Sequence, residues 1–243
     1  YPWAFQKAIQ AAGLSGVWIP KEYGGAGGTV LDLCLVVEQI SRACGGMGVA
    51  YAVNALGSFP ILLGASEEQK ARWLPGIASG EKLISFGLSE KDAGSDAGSM
   101  TTKAEKDGDH YVINGEKKWN TGGAVASLNT IFAVTQPGRG ARGISAFVVE
   151  AGTPGYRVGK HEDKMGIRCV PVIELAVAIA DRHRENGAGG EAKTWYRRVL
   201  VYAPLHHAAT ERLAALLRTQ GDTAGAAQLC AALKHRTGAD CRD

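Results

Sequence analysis

The hydrophobic and polar positions change period twice along the chain. Over residues 1–80 apolar side chains recur at helical spacing. Phe5, Ile9, Ala12 and Leu14 form one such face, with Gly13 as its stop signal. Leu31, Leu35, Val36, Ile40 and Ala43 form a second, opened by Thr29 as N-cap. Pro20–Gly28 between them is rich in turn formers. Ser66-Glu67-Glu68-Gln69 has the reciprocal Ser/Gln arrangement of a capping box. It opens a helix through Ala71, Trp73 and Leu74 that Pro75 and Gly76 are expected to end.

From residue 83 the pattern becomes short and β-rich. Tyr111–Ile113, Ile131–Val134, Ile144–Val149 and Val172–Val177 read as strands. Asp107-Gly108, Asn114-Gly115, Pro137-Gly138 and Pro154-Gly155 read as turns, and Asn-Gly predicts a hairpin. These signals together predict a β-meander closing into a small barrel or sandwich. Helical spacing then returns through Trp195, Val199, Tyr202, Leu205, Ala209, Leu213 and Leu216, with a break at Pro204. Gly221-Asp222 ends that helix and caps another carrying Ala226, Ala227, Cys230 and Leu233. The expected fold class is α+β: an N-terminal helical domain over 1–82, a β-barrel or sandwich domain over 83–178, and a short helical tail over 179–243. No internal repeat is evident.

Composition narrows the function classes. Hydrophobic residues are 45% and charged residues 21% of the 243, an ordinary globular mix. The net charge of +3 and the lack of a basic, aromatic-interleaved stripe speak against nucleic acid. Apolar runs are expected to fall short of a membrane span; Leu31–Ile40, for example, is broken by Asp32, Glu38 and Gln39. Tyr1 in place of Met reads as a processed or cut start, and no secretory pattern follows it. The five cysteines are odd in number, widely spaced and without a Cys-x-x-Cys. That argues against a disulfide framework and a zinc site, and predicts free thiols in a reducing compartment. Residues 1–177 are charge-neutral, so the whole +3 falls in residues 178–243, where Arg outnumbers Lys and four of the six histidines lie.

Candidate chemistry centres on Gly87-Leu88-Ser89-Glu90-Lys91-Asp92-Ala93-Gly94-Ser95-Asp96-Ala97-Gly98-Ser99. Its glycines allow close backbone approach, and its serines supply small hydroxyls. A polar, phosphate-bearing ligand suits such a loop, although Gly/Ser loops are also common as plain connections. The residue identities go further. They match, at every defined position, the acyl-CoA dehydrogenase signature: small, aliphatic, Ser/Thr, Glu, two residues, small, Gly, Ser/Thr, Asp. Phe86 fits the aromatic before it. Downstream, Glu116-Lys117-Lys118-Trp119-Asn120-Thr121-Gly122 resembles the Lys–x–Trp–Ile–Thr–Asn strand of that family, with Asn120 in place of Ile and Gly122 in place of Asn. Taken alone, Trp119 fits a core aromatic. Pro20–Gly28, Glu67–Glu81 and Asp163–Arg168 followed by Glu174-Leu175 extend the resemblance over residues 1 to about 177, as turns, caps and packing.

The resemblance implies a helical N-terminal domain, a β-barrel and a C-terminal four-helix domain, with non-covalent FAD between the barrel and the helices. It implies α,β-dehydrogenation of an acyl-CoA thioester: a glutamate takes the α-proton, a β-hydride goes to the flavin, and an electron-transfer flavoprotein reoxidises it. By position, Phe86, Leu88, Ser89, Trp119 and Thr121 would contact FAD, and Ser95 would sit near the flavin phosphates or the pantetheine arm of CoA. Glu90 would fix the loop through hydrogen bonds. The resemblance also implies a homo-oligomer and a bacterial cytoplasmic or mitochondrial-matrix location. The family base has no counterpart: Glu174, Glu185, Glu191 and Glu211 stand in unmatched contexts. The composition shift after residue 177 fits a reading-frame change best; a shortened C-terminal domain and a fused helical hairpin fit it less well. A non-catalytic remnant that binds FAD or acyl-CoA, and a flavin oxidase or monooxygenase on the same fold, are the alternative functions.

Overall fold

The N-terminal helices begin where their caps are strongest. The structure, a computed structural model, describes residues 1–108, 110–153, 155–178, 207–237 and 241. Helix α1 spans Trp3–Ala11, and Gly13 beyond it takes a left-handed φ of 68°. Helix α2 (Val30–Ala43) opens on a full capping box: Thr29 accepts from the Asp32 amide, and Asp32 accepts from the Thr29 amide at 2.7 Å. Helix α4 (Glu67–Ala78) opens on the Ser66/Gln69 box. It does not stop at Pro75, as the sequence pattern predicted, but continues to Ala78. Ser79 N and Gly80 N reach back to Pro75 O and Ile77 O, and Gly80 with φ 75° ends the turn.

Helix α3 (Gly45–Gly64) was not visible as a helical face, because its residues are apolar nearly all round. Its 20 residues are long and apolar enough to cross a membrane by length and composition, which corrects the expectation that no run approaches that length. Ala50, Tyr51, Val53, Ala55 and Ile61 are instead buried in the protein. Trp18 donates to Ser58 Oγ at 2.8 Å and meets Tyr51 edge-on, and Tyr51 donates to Leu14 O. Ile9, Ile19, Leu33, Leu74 and Ile77 complete this core.

The sheet is mixed rather than a meander, which is a correction. It contains β1 (Ile84–Gly87), β2 (Lys103–Asp107), β3 (His110–Thr121), β4 (Leu128–Val134), β5 (Ile144–Glu150), β6 (Tyr156–His161) and β7 (Val172–Ala178). The spatial order is β1-β4-β2-β3-β7-β6, with β5 on β4. Strands β1 and β4 pair in parallel, as do β2 and β4; β2–β3 and β4–β5 are antiparallel. The sheet curls into a half-barrel, consistent with the α+β expectation. Asn114-Gly115 is not a hairpin turn: Asn114 pairs with Lys103 inside the β2–β3 ladder, whose last pair is Asp107 with His110. Gly115 serves close approach, since a β-carbon there would lie 2.3 Å from Thr102 Oγ1.

Helix α3 is fastened to β1 and to its parallel neighbour β4. Asn54 accepts from Ile84 N at 3.0 Å, Thr130 donates to Gly57 O at 2.7 Å, and a β-carbon on Gly57 would stand 2.8 Å from Ser85 O. That contact fixes the strand from which Gly87–Ser99 departs.

The chain divides into two compact units: residues 1–153 with 157–176, and 154–156 with 177–243. In the second, α5 (His207–Thr219) and α6 (Thr223–Thr237) pack as a hairpin through Leu213, Leu217, Ala226 and Leu233. Gly221 with φ 82° turns the chain, and Asp222 caps α6 by accepting from Gly225 N at 2.9 Å, as the sequence predicted. The expected helical spacing from Trp195 to Leu205, and Glu185 and Glu191, lie outside the described residues. One further correction concerns the thiols. Cys230 and Cys241 form a disulfide, with their α-carbons 5.5 Å apart, and only Cys34, Cys44 and Cys169 are free. An odd count with wide spacing hid a pair that the end of α6 brings together.

Candidate functional site

Strand β1 ends in Phe86 and Gly87, and the chain leaves it alongside the far end of β3. Phe86 is half-buried, with its ring centroid 5.0 Å from that of Phe132. Lys118 N donates to Ser89 O at 2.8 Å, so the start of the loop is tied to β3 by backbone. Glu90 and Ala93 close a tight turn on each other's backbone.

The anchor of the loop is a buried ion pair. Lys117 Nζ lies 2.8 Å from Glu90 Oε1, with the two side chains 0% and 6% exposed. The ammonium also donates to Leu88 O at 3.1 Å and approaches Met100 Sδ at 3.6 Å, so its donors are all directed. Glu90 accepts in addition from Thr101 N at 2.6 Å, Thr101 Oγ1 at 2.7 Å and Thr102 N at 2.9 Å. Burial alone would raise the Glu90 carboxyl. The Lys117 ammonium and the Thr101–Thr102 donors outweigh it and hold the pKa at about 2. Burial pulls Lys117 below the ordinary lysine value, against the opposing pull of Glu90. Glu90 therefore fixes the loop by hydrogen bonds, in the role the sequence pointed to. Lys117 was not singled out, since a lysine in a strand ordinarily reads as a solvent-facing residue.

Beyond Lys117 the strand turns its side chains outward and inward in a forced way. Asn120 is fully buried and exchanges amide hydrogen bonds with Asn129 at 3.2 and 3.4 Å. Gly87 and Gly123 make room for it: β-carbons there would approach the Asn120 amide to 3.0 and 2.0 Å. Trp119, just before it, adopts φ 63°, a left-handed conformation that is uncommon for a bulky residue. The residue is 54% exposed, with Lys118 Nζ 4.9 Å from a ring centroid. Lys118 itself is held by Glu174 and, at 3.8 Å, Glu162. A strained, exposed aromatic beside a rigid anchor is the arrangement found where strain serves function. Thr121 is half-buried, and Gly122 with φ 76° donates to Pro171 O at 2.8 Å.

The sequence-derived candidates fall into two groups. Phe86, Leu88 and Ser89 lie where β1 runs out, and Ser89 is bonded to the residue that precedes Trp119. Trp119 and Thr121 lie at the end of β3. The side-chain hydroxyls of Ser89 and Thr121 make no hydrogen bond among the described residues. Ser95 is apart from them: it is exposed in the loop, next to the turn that Asp96 and Ser99 close. The described residues contain no group of three or more histidine, cysteine or carboxylate side chains able to hold a metal.

Residues 1–81 match the model of the acyl-CoA dehydrogenase N-terminal domain, and residues 85–178 match that of the acyl-CoA dehydrogenase middle domain. The short-chain-specific acyl-CoA dehydrogenase of Clostridium acetobutylicum is 42% identical over 194 residues, covering 79% of this chain and 51% of that protein. Butyryl-CoA dehydrogenase from Megasphaera elsdenii superposes with a TM-score of 0.69 at 26% identity, over 98% of this chain and 69% of that one. An acyl-CoA dehydrogenase from Bacillus anthracis, complexed with FAD, superposes with a TM-score of 0.64 at 30% identity, over 87% and 42%. The chain spans about half the length of the curated relatives it matches, from 43% to 51%. Two domain models in their native order, relatives above 40% identity and a shared fold leave one assignment: the chain belongs to the acyl-CoA dehydrogenase family, of which it carries the N-terminal and middle domains.

Proposed function

We propose that this chain supplies the flavin-facing part of an FAD-dependent acyl-CoA dehydrogenase, acting in α,β-dehydrogenation of an acyl-CoA thioester. The observation that carries the reading is Trp119, an exposed ring in strained backbone, standing next to a loop that a buried ion pair holds still.

The residues present suit a flavin. A flat aromatic ring with a polar edge needs one apolar face and a few hydrogen-bonding groups. Trp119 offers the face, the hydroxyls of Ser89 and Thr121 offer the polar contacts, and Phe86 and Leu88 offer apolar neighbours. Exposed Ser95 suits a phosphate or the pantetheine arm. Bound there, a flavin would supply the hydride acceptor that the dehydrogenation needs. The chain's own part is to orient and to shield. Lys117, through Leu88 O and Glu90, sets the loop; Asn120, through Asn129, sets the turn of Trp119.

The proton step needs a base, and neither Glu90 nor Glu174 suits that role. Glu90, with a pKa of about 2, binds a proton too weakly to suit a base, and Glu174 is bound to Lys118. The same observation favours the second reading, a chain that binds FAD or acyl-CoA without turnover. Spectroscopy separates the two. Flavin absorbance that bleaches when acyl-CoA is added anaerobically supports dehydrogenation, flavin that does not bleach supports the binding-only reading, and folded protein without flavin affinity overturns both. With the dehydrogenase reading go an electron-transfer flavoprotein as electron acceptor, a homo-oligomeric state, and a bacterial cytoplasmic or mitochondrial-matrix location.

A further inference from the structure

We propose that Cys44 and Cys169 form a redox modification site, a thiol pair that a hydroperoxide oxidant closes to an intramolecular disulfide. The two come from distant parts of the first unit. Cys44 joins α2 to α3, as the C-cap of one and the N-cap of the other. Cys169 lies between β6 and β7, in the segment that leads into Val170 and Pro171. Both are free and half-buried.

Gly46 brings them to one gap. A β-carbon at Gly46 would lie 2.6 Å from Cys169 Sγ and 3.7 Å from Cys44 Sγ, so both sulfurs border the same point. Ile167 Cα lies 3.6 Å from that point as well. Glycine leaves the space between the thiols open, where any side chain would press on sulfur. The segment that presents Cys169 is preformed: Lys164 Nζ donates to Ile167 O at 2.6 Å and to Val170 O at 2.7 Å, folding the stretch into a closed loop. Ile167 within it has φ 55°, a strained conformation for a β-branched residue. The loop that carries Cys169, held by one lysine and strained at its centre, is the part that would move as the sulfurs close to the bonding distance of about 2.05 Å. The remaining cysteines do not compete within the molecule. Cys34 is exposed elsewhere on α2, and Cys230 is bonded to Cys241.

The chemistry balances with hydrogen peroxide as oxidant. One thiolate attacks a peroxide oxygen; the O–O bond breaks, hydroxide leaves, and the sulfur becomes a sulfenic acid. The second thiolate attacks that sulfur; the S–S bond forms, the S–O bond breaks, and water leaves after protonation. Two thiols lose two protons and two electrons, and the peroxide ends as two waters. The bond would tie the α2–α3 junction to a loop two residues from Pro171. Pro171 O holds Gly122 N at 2.8 Å, so the link reaches the end of β3 over a short path.

Peptide mapping tests the pair. The Cys34→Ser protein, mixed in equal parts from unlabelled and nitrogen-15-labelled preparations, is reduced, treated with hydrogen peroxide, alkylated and digested. Besides the re-formed Cys230–Cys241 link, the expected product is a linked peptide joining Cys44 to Cys169, lighter by two hydrogens, isotopically unmixed and restored by dithiothreitol. In Cys44→Ser protein, Cys169 is expected as a sulfenic or sulfinic acid. Recovery of Cys44 and Cys169 as separate alkylated or oxidised peptides from the Cys34→Ser protein would overturn the proposal, as would a Cys44–Cys169 peptide of mixed isotope.

Discussion

Lys117 Nζ and Glu90 Oε1 meet at 2.8 Å in the interior, and between them they tie β3 to the loop that leaves β1. The cost of taking two charges out of water is offset only because every other donor and acceptor of the pair is also used: Leu88 O, the Thr101 and Thr102 amides and the Thr101 hydroxyl.

Breaking that pair from one side leaves an uncompensated charge. Lys117→Met and Glu90→Gln are each expected to destabilise the protein by about 3–5 kcal/mol in urea unfolding. The double variant is expected to fall well short of the sum, because the two residues act as one unit. Additive losses would show that the pair is not coupled.

Glu90 also sets a pH limit. Its folded pKa of about 2 lies below its ordinary 4.5, so the unfolded chain takes up the proton first as pH falls. Its stabilising effect is complete above about pH 4.5 and is lost as pH falls through the window from 4.5 to 2. The stability gap between wild type and Glu90→Gln should therefore shrink across that window in acid-unfolding curves. A gap that is constant with pH would contradict the assignment.

Asn120 takes the Ile place in the strand pattern that residues 116–122 resemble, yet an Ile there is expected to harm this protein. The substitution takes from Asn129 its buried amide partner, at a cost of about 1–3 kcal/mol. Asn120→Ile should lower the thermal midpoint, and adding Asn129→Val should recover part of the loss. An Asn120→Ile protein as stable as wild type would show that the amide pair carries no weight.

The sequence made some of this legible and hid the rest for physical reasons. Capping boxes are local, so Thr29, Ser66 and Asp222 were readable as helix starts. Strand runs such as Ile131–Val134 and Val172–Val177 were readable from β-branched content. Parallel pairing of β1 with β4 was not, because it depends on crossovers between segments about 40 residues apart. Helix α3 carries no period, since Gly46, Gly48 and Gly57 pack as closely as its large residues. Asn114-Gly115 imitates a turn because glycine serves close approach as well as tight bends. In the loop, the fixing role of Glu90 was legible through its motif. Lys117 was not, because only the fold shows that its ammonium points inward.

Titration of the folded chain with FAD probes the proposed flavin-facing role of the end of β3. Trp119→Gly removes the ring but suits the left-handed backbone, so its stability should stay within about 1 kcal/mol of wild type. The expected result is saturable binding of FAD to wild type, read by quenching of flavin fluorescence, and affinity lower by about tenfold in Trp119→Gly, from the lost aromatic contact. Equal affinity in the two folded proteins, or none in wild type, would contradict the account.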